Sequence, residues 1–290
     1  MNEIRLPLGD IIESSVDVLT DTFRPVFDFI RTVFLGLYEA VEFVLVSPPF
    51  WIIIAIFAVL AYSVKGWKFA VGSIVGFLII VGINQWENTM ESLALVLVAS
   101  GIAIIISVPL GVLAAKSDRS SSIIRPILDF LQTMPAFVYL VPALILFRVG
   151  VVPGIVATIV FAMSPGVRFT ELGIRGVDKE VVEAGHAFGS SPWRILRQIQ
   201  LPLAAPTIMA GINQVIMLSL SMVVIAGLVG GGGLGSDVVQ ALSRLDVSLG
   251  FEAGISVVII AIFLDRITAA LSGSRRTIRL WPKRTPALAS

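Results

Sequence analysis

Long apolar runs separated by short polar segments dominate the chain from residue 48 onward. A membrane-spanning helix needs about 20 mostly apolar residues, with a range of about 17–25. Seven segments fit that requirement: 48–64, 67–85, 90–115, 130–149, 152–168, 202–230 and 251–271. They lack the apolar–polar alternation of a membrane β-barrel. The pattern therefore predicts an all-α, polytopic membrane protein with about seven spanning helices.

The segment 16–46 is apolar but carries a charge every three or four residues. Asp21, Arg24, Asp28 and Arg31 share one helical face, offset from a face of phenylalanines. This spacing predicts an amphipathic helix that lies on the outer membrane surface and braces the bundle. The alternative is an extra spanning helix or a helix that packs on a partner.

Basic residues predict the orientation, because Lys and Arg concentrate in cytoplasmic loops. If the spans simply alternate, the basic residues at 65–68, 116–125, 175–197 and 275–284 all fall on one side. The first 47 residues, on the other side, carry three Arg against eight acidic residues. We therefore expect a multi-pass plasma-membrane protein with its N-terminus outside and its C-terminus in the cytoplasm.

Four regions follow from this organisation. We expect an extracytoplasmic or interfacial segment at 1–47, two peripheral scaffold helices in 48–88, a core at 89–272, and a cytoplasmic tail at 273–290.

Composition narrows the chemistry. The chain is 56% hydrophobic and 14% charged, with no cysteine, a single histidine and a net charge of +1; its mean hydropathy is +0.95. The absence of cysteine excludes disulfides, thiolate metal sites and cysteine nucleophiles. The single histidine nearly excludes histidine-based metal sites and catalytic triads. Nothing suggests nucleic acid. We expect no catalytic residue, no metal and no cofactor.

One polar segment, 178–202, interrupts the apolar runs on the predicted cytoplasmic face. It predicts a short helix that begins after an Asp178 cap and ends at Gly189. A second helix follows, capped by Ser190 or Ser191, and Pro202 opens the next span. Two such helices would form a knob for a soluble partner's cleft. The alternative is an ordinary cytoplasmic loop. His186 lies within the first helix, where a solvent-facing histidine is favoured over a pH sensor.

Seven residues of this segment resemble the coupling loop of ABC importer permeases, whose pattern is EAA, three residues, G, nine residues, I, one residue, LP. The matching residues are Glu183, Ala184, Gly185, Gly189, Ile199, Leu201 and Pro202. The one departure is Gly185, where the pattern prefers Ala, at about 1 kcal/mol of helix propensity. Stretches 125–147, 221–235 and 244–254 further resemble the glycine betaine/proline betaine (quaternary-amine) importer permeases, and the resemblance covers about residues 16–271.

The resemblance implies a type I ABC importer transmembrane domain, embedded in lipid and paired with a second permease copy. Two ATP-binding subunits would dock at the cytoplasmic face, and a substrate-binding protein would deliver the solute from outside. The chain itself would be a transport subunit rather than an enzyme. Glu183, Ala184, Gly185 and Gly189 would transmit force, and Pro202 would fix where the sixth span begins. Alternatives are a methionine or phosphonate importer, an ATP-independent carrier or channel, and an osmosensory or scaffold protein.

Two groups of residues are candidates for the translocation pathway. Met134, Phe137 and Tyr139 begin the fourth span, where an aromatic ring could hold a quaternary ammonium by cation–π attraction. Asn213, Met217 and Ser221 form one helical stripe in the sixth span. The alternatives are aromatic packing for the first group and interhelical hydrogen bonding for the second.

Residues 230–235 formally satisfy GxGxxG, but a dinucleotide fingerprint needs a preceding strand in a soluble βαβ unit. We interpret these glycines instead as a tight, close-packed turn near a dimer axis. The sequence has no GxxxxGK[ST], so ATP would be bound by another polypeptide. No candidate span has an ionisable residue near its middle, which favours a net-neutral solute.

Overall fold

The computed structural model describes residues 8–273, and every regular element in that range is helical. The all-α prediction is confirmed. The predicted tail beyond Gly273 lies outside the described residues. In chain order the helices are α1 (Leu8–Val46), α2 (Phe50–Lys65), α3 (Trp67–Gly82), α4 (Trp86–Lys116), α5 (Asp118–Thr133), α6 (Ala136–Phe147), α7 (Val151–Arg175), α8 (Lys179–Ala187), α9 (Pro192–Ile195), α10 (Leu201–Ser221), α11 (Val223–Gly227), α12 (Gly233–Arg244) and α13 (Val247–Gly273), with a π-turn at Leu196–Gln200.

The centre of the molecule is built from α4, α7 and α10, which meet through small residues. A Cβ on Gly154 of α7 would lie 2.6 Å from the Cβ of Ala226, and one on Gly111 of α4 would lie 2.5 Å from the Cβ of Thr170. Such close backbone approach is how membrane helices gain packing energy when lipid supplies no hydrophobic driving force. Close packing of complementary surfaces therefore fixes the relative positions of the central helices.

Four helical stretches are long and apolar enough to cross a membrane, and six if each of two bent pairs counts as one span. The four are Trp86–Lys116, Val151–Arg175, Pro192–Gly227 and Val247–Ala270. They match the predicted spans 90–115, 152–168, 202–230 and 251–271. The predicted spans 48–64 and 67–85 are helical, but α2 and α3 have 16 residues each. At 1.5 Å per residue each is about 24 Å long, shorter than a typical hydrocarbon core.

The predicted span 130–149 has a proline near its start, and the helix is broken there. The chain bends by 99° between α5 and α6, at Met134 and Pro135. Pro135 has no N–H and disfavours a helical conformation in the residue before it, and Met134 is extended, with ψ 134°. The missing N–H would have bonded the carbonyl of Leu131; the hydroxyl of Tyr139 donates to that carbonyl instead. Tyr139 thus stabilises the break.

Helix α1 includes the predicted amphipathic segment 16–46 and begins earlier, at Leu8. It is kinked at Phe23, ahead of Pro25, and turns by 97° into α2. Tyr38 and Leu45 are buried and join the main core. One face of α1 is therefore anchored to the bundle, and its placement on the outer membrane surface stays a prediction.

The glycine-rich segment after α11 forms a tight turn, as interpreted from the sequence. Gly230, Gly232 and Gly233 have positive φ, and a Cβ on Gly235 would overlap the carbonyl of Val223. The turn is fixed to α4, because Glu91 accepts the N–H of Gly233 at 2.7 Å and Ser92 accepts that of Leu234 at 2.9 Å.

Candidate coupling site

The predicted knob at 178–202 begins with a capped helix. The Asp178 carboxylate accepts the N–H of Glu180 at 2.9 Å and caps α8, as predicted. The Ser191 hydroxyl accepts the N–H of Arg194 at 3.4 Å and caps α9, and Pro192 opens that helix. Both caps satisfy amides that a helix start leaves unpaired. The two helix starts were therefore predictable from local chemistry.

Gly189 ends α8 in a left-handed conformation, with φ +75°. The N–H of Gly189 bonds the carbonyl of His186 at 2.9 Å, and the N–H of Ser190 bonds that of Gly185 at 3.1 Å. These two bonds make a Schellman motif, in which glycine is preferred because a Cβ is unfavourable at positive φ. A Cβ on Gly189 would meet no atom within 4 Å. Backbone conformation, and not lack of space, therefore requires glycine here.

Gly185 differs from Gly189 in that it lies against neighbouring side chains. It is buried, and a Cβ on it would lie 2.9 Å from Cδ1 of Ile199 and 3.3 Å from Cγ1 of Ile195. The helix that follows thus packs directly on the backbone of α8. The departure from alanine at this position lets α8 lie closer to Ile195 and Ile199. Of the seven motif residues, Gly185 and Ile199 are in direct contact.

Helix α10 begins at Leu201, next to the predicted start at Pro202. A longer helical path runs through it from Pro192 to Gly227, 36 residues, and where the membrane span begins along this path stays a prediction. The π-turn Leu196–Gln200 lies just before Pro202, and the N–H of Leu201 bonds the carbonyl of Leu196. Because proline cannot donate to the residue four positions earlier, the wider turn lets the helix continue through it. Leu201 and Pro202 are half-buried within this helix.

An apolar cluster anchors α8 to the bundle. Ile174 and Val177 at the end of α7 pack with Leu196, Ala204 and Ile208 of the long helix. Val182 of α8 packs against this cluster. A displacement of α8 would therefore push on α7 and α10 together.

The opposite face of α8 is solvent-exposed. Glu183, Ala184 and His186 are all exposed, as expected for a histidine that faces solvent or an interface. Phe188, next to Gly189, is 90% exposed, although it is a large apolar residue on the polar side of the molecule. Trp193 is also exposed, with Lys116 Nζ 5.6 Å from its ring centroid. The sequence analysis did not select either aromatic, though a bulky apolar residue in a polar loop was a visible signal.

A buried carboxylate next to this site was also missed. Glu171 of α7 is 3% exposed and accepts from Ser121 Oγ at 2.8 Å and Arg125 Nη2 at 2.9 Å. Arg175 Nε lies 3.0 Å from the same carboxylate, and its Nη1 lies 2.7 Å from Asp118. These bonds fasten α5 to α7. The signal was the spacing of Arg168, Glu171 and Arg175, which places three charges on one helical face.

The first pathway group lies at the break between α5 and α6. Tyr139 is buried with Met222 and Val229, and Met134 packs half-buried on the same cluster. Phe137 is 57% exposed. The hydroxyl of Tyr139 is engaged with Leu131, so its packing role is the one visible in this structure. A pathway role for the three residues stays a prediction.

The second pathway group lies along α10. Asn213 Nδ2 is 3.3 Å from Asp265 Oδ1, and its amide oxygen accepts from the hydroxyl of Thr268. These bonds join α10 to α13 and favour interhelical hydrogen bonding for Asn213. The Ser221 hydroxyl donates to the carbonyl of Met217 at 3.1 Å. Met222, the residue after Ser221, packs with Tyr139 of the first group.

Groups of three or more potential metal-ligating residues are absent from the described part of the chain.

Comparisons with known proteins agree with this geometry. Residues 107–277 match the family of binding-protein-dependent transport system inner membrane components. The chain is 48% identical to the glycine betaine/carnitine transport permease protein GbuB of Listeria monocytogenes, over 92% of this chain and 96% of that protein. It is 45% identical to the glycine betaine transport system permease protein OpuAB of Bacillus subtilis, over 94% and 97%. A solved inward-facing structure of the MetNI methionine ABC transporter superposes with a TM-score of 0.59 at 21% identity, over 63% of this chain and 92% of that one. That likeness shows a shared fold.

Proposed function

This chain belongs to the family of binding-protein-dependent transport system inner membrane components, and we propose that it carries a quaternary-amine compatible solute across the membrane. It is the permease subunit of an ABC importer, a non-enzymatic transport protein that passes several times through the plasma membrane. The cargo is glycine betaine, proline betaine, choline or a similar amine, since relatives named for glycine betaine align over almost their whole length. Methionine is less supported, because the methionine transporter shares only the fold.

Transport of this kind needs partners. ATP-binding subunits work with such permeases on the cytoplasmic side, and a substrate-binding protein delivers the solute. We propose two ATP-binding subunits, one on α8 of each of two identical permease copies, with lipid around the bundle. The exposed acidic Glu183 on α8 and the exposed aromatic Phe188 directly after it support a docking role for that helix.

The observation that carries the mechanism is the packing of α8 against the long helix. Gly185 contacts Ile195 and Ile199, which belong to the 36-residue helical path from Pro192 to Gly227. Closure of the ATP-binding subunits draws the two α8 helices together, and each turns its long helix and α7 with it. The outward cavity then opens to the loaded binding protein, and hydrolysis reverses the motion. Glu183, Ala184, Gly185 and Gly189 transmit the force.

The orientation and regions follow the same proposal. The α8 side, with Lys116 and Arg175, is cytoplasmic, and the glycine-rich turn and α1 lie outside. The region 89–272 performs transport, and 48–88 supports it. Two groups remain proposed as pathway residues: Met134, Phe137 and Tyr139 near the break between α5 and α6, and Asn213, Met217 and Ser221 along α10.

Reconstitution tests this function. The purified chain in proteoliposomes should show neither ATPase activity nor accumulation of radiolabelled glycine betaine. Adding ATP-binding subunits, binding protein and ATP should give accumulation. Accumulation by the chain alone, driven by an ion gradient, would replace the importer with a secondary carrier.

A further inference from the structure

Helix α1 holds the outer end of α6 by three contacts. Arg31 Nε donates to the carbonyl of Phe147 at 3.1 Å. Asp28 Oδ1 lies 3.4 Å from Arg148 Nη2. The rings of Phe27 and Phe147 meet edge-to-face, with centroids 5.7 Å apart. Phe27, Asp28 and Arg31 span one turn of α1, so a single face of the helix makes all three contacts.

The point of attachment is a helix end that needs a partner. Phe147 is the last residue of α6, and its carbonyl is one that a helix C-terminus leaves unpaired. A guanidinium there supplies the missing donor and a charge that the helix dipole favours. Arg148 follows with φ +64°, uncommon for a residue other than glycine. Its side chain lies beside Asp28 as a result. The chain therefore turns sharply after α6, and contacts with α1 stabilise this turn.

The attachment continues beyond α6. Two residues after Arg148, the N–H of Gly150 bonds the carbonyl of Val229 at 2.9 Å. Val229 immediately precedes the glycine-rich turn, which Glu91 and Ser92 fix to α4. One continuous set of bonds thus runs from α1 through the α6 corner to the turn. At its other end, α6 joins α5 through the bend at Met134 and Pro135, where Tyr139 bonds Leu131 and packs with Met222.

From this geometry we infer that α1, which lies outside the matched family region 107–277, is a positioning element of the transport machinery. Phe27, Asp28 and Arg31 hold the outer end of α6 fixed, so that motion passed through α5 is taken up at the 134–135 break. The inference rests on the proposed function, because its consequence is measured as solute uptake. Arg31 and Phe27 act through α6 and do not touch the solute.

The first test fixes the contact covalently. The chain has no native cysteine, so Asp28→Cys with Arg148→Cys gives a unique pair. A short bis-methanethiosulfonate reagent, which forms a reducible disulfide with each cysteine and releases two sulfinates, should join them in the complex reconstituted with ATP-binding subunits and binding protein. We expect the joined complex to keep its uptake rate, with each single-cysteine variant as control. Loss of uptake that reductant restores would overturn the inference, since α1 and α6 would then have to separate.

The second test removes the contact. Arg31→Ala with Phe27→Ala should lower the maximal uptake rate about fivefold at unchanged KM, the scale of one or two interhelical contacts in a membrane. The variant Arg31→Lys keeps a cationic donor at this position, so it should retain most of the uptake rate that Arg31→Ala loses. Arg24→Ala on the same helix is the matched control and should keep the unmodified rate. A purely structural role would lower the amount of assembled complex and leave the rate per complex unchanged.

The outcomes separate the two claims. Uptake by the unmodified complex with an unchanged rate per complex in the double variant would overturn the positioning role alone. Absence of uptake in the unmodified complex would overturn the proposed function and the inference with it.

Discussion

At the residue scale, two glycines of one motif have different physical requirements. Gly185 gives Ile195 and Ile199 access to the backbone of α8, whereas Gly189 adopts a positive φ in open space. The sequence predicted the second role, because a glycine after a helical stretch indicates a left-handed C-terminus. It could not predict the first, because the isoleucines that fill the space lie 10 and 14 positions away and helix packing decides the contact.

Substitutions at Gly185 should depend on side-chain volume. In Gly185→Ala the new Cβ meets the flexible end of Ile199, and alanine gains about 1 kcal/mol of helix propensity. We expect nearly normal stability and uptake. Gly185→Val adds two methyls against Ile195 and Ile199 and should displace α8. Co-purification of the ATP-binding subunits measures this; equal recovery with both variants would contradict the packing account.

Tyr139 offers a second test at this scale. Tyr139→Phe leaves the Leu131 carbonyl without the donor that replaces the missing N–H of Pro135. Removing an interhelical hydrogen bond in a membrane protein costs about 0.6 kcal/mol on average and up to about 1.7 kcal/mol. The Tm of the purified permease should fall, while the exposed Tyr62 changed to Phe should leave it unaltered. Equal Tm values for the two variants would show that the Tyr139 hydroxyl does not stabilise the break.

At the scale of elements, hydropathy located the apolar segments but did not give their directions. The apolar run 130–149 contains a 99° bend, and the run beginning at 202 continues a helix that starts at Pro192. Both features involve a proline whose effect depends on what replaces its missing N–H. A tyrosine hydroxyl stabilises a break in one case, and a π-turn preserves the helix in the other. Neither substitute is visible in apolar periodicity.

Attachment of α5 to α7 should depend on Glu171. Glu171→Ala removes the carboxylate that Ser121, Arg125 and Arg175 share. Hydrogen bonds to charged groups contribute about 1.5–3 kcal/mol, and the exposure of both arginines places the cost toward the lower end. Amide hydrogen exchange should accelerate in α5 and stay unchanged in α13. The exposed Glu87 changed to Ala is the control. Unchanged exchange in α5 would show that apolar packing alone holds it.

At the scale of the whole molecule, composition and basic-residue placement were sufficient for an all-α membrane protein, and the coupling motif was sufficient for the family. The relation of α1 to α6 was not predictable, because Arg31 and Phe147 are separated by 116 positions. Sequence patterns describe what each segment can do locally. Which distant segments meet is decided by packing.

The proposed orientation can be tested with single cysteines in the otherwise cysteine-free chain. Ser248→Cys, exposed at the start of α13, should react with a membrane-impermeant thiol reagent in intact cells. Ser122→Cys, exposed on α5, should react only after permeabilisation. The basic residues near Ser122 explain the expected side. The opposite labelling pattern would invert the topology and place α8 outside.

The central claim is that α8 transmits the work of ATP hydrolysis to the spanning helices, and Gly189 tests it most directly. Gly189→Val imposes a branched side chain on a left-handed residue, which costs of order 1–2 kcal/mol and should distort the end of α8. Gly189→Asn, the residue that best tolerates this conformation, is the matched control.

The measurement is uptake and ATPase activity of the reconstituted complex, with and without loaded binding protein, at equal incorporation. We predict that Gly189→Val loses uptake and loses the response of its ATPase to binding protein, while Gly189→Asn keeps most of both and the Tm of the isolated permease hardly changes. Full uptake by Gly189→Val would show that the segment 183–189 does not transmit force.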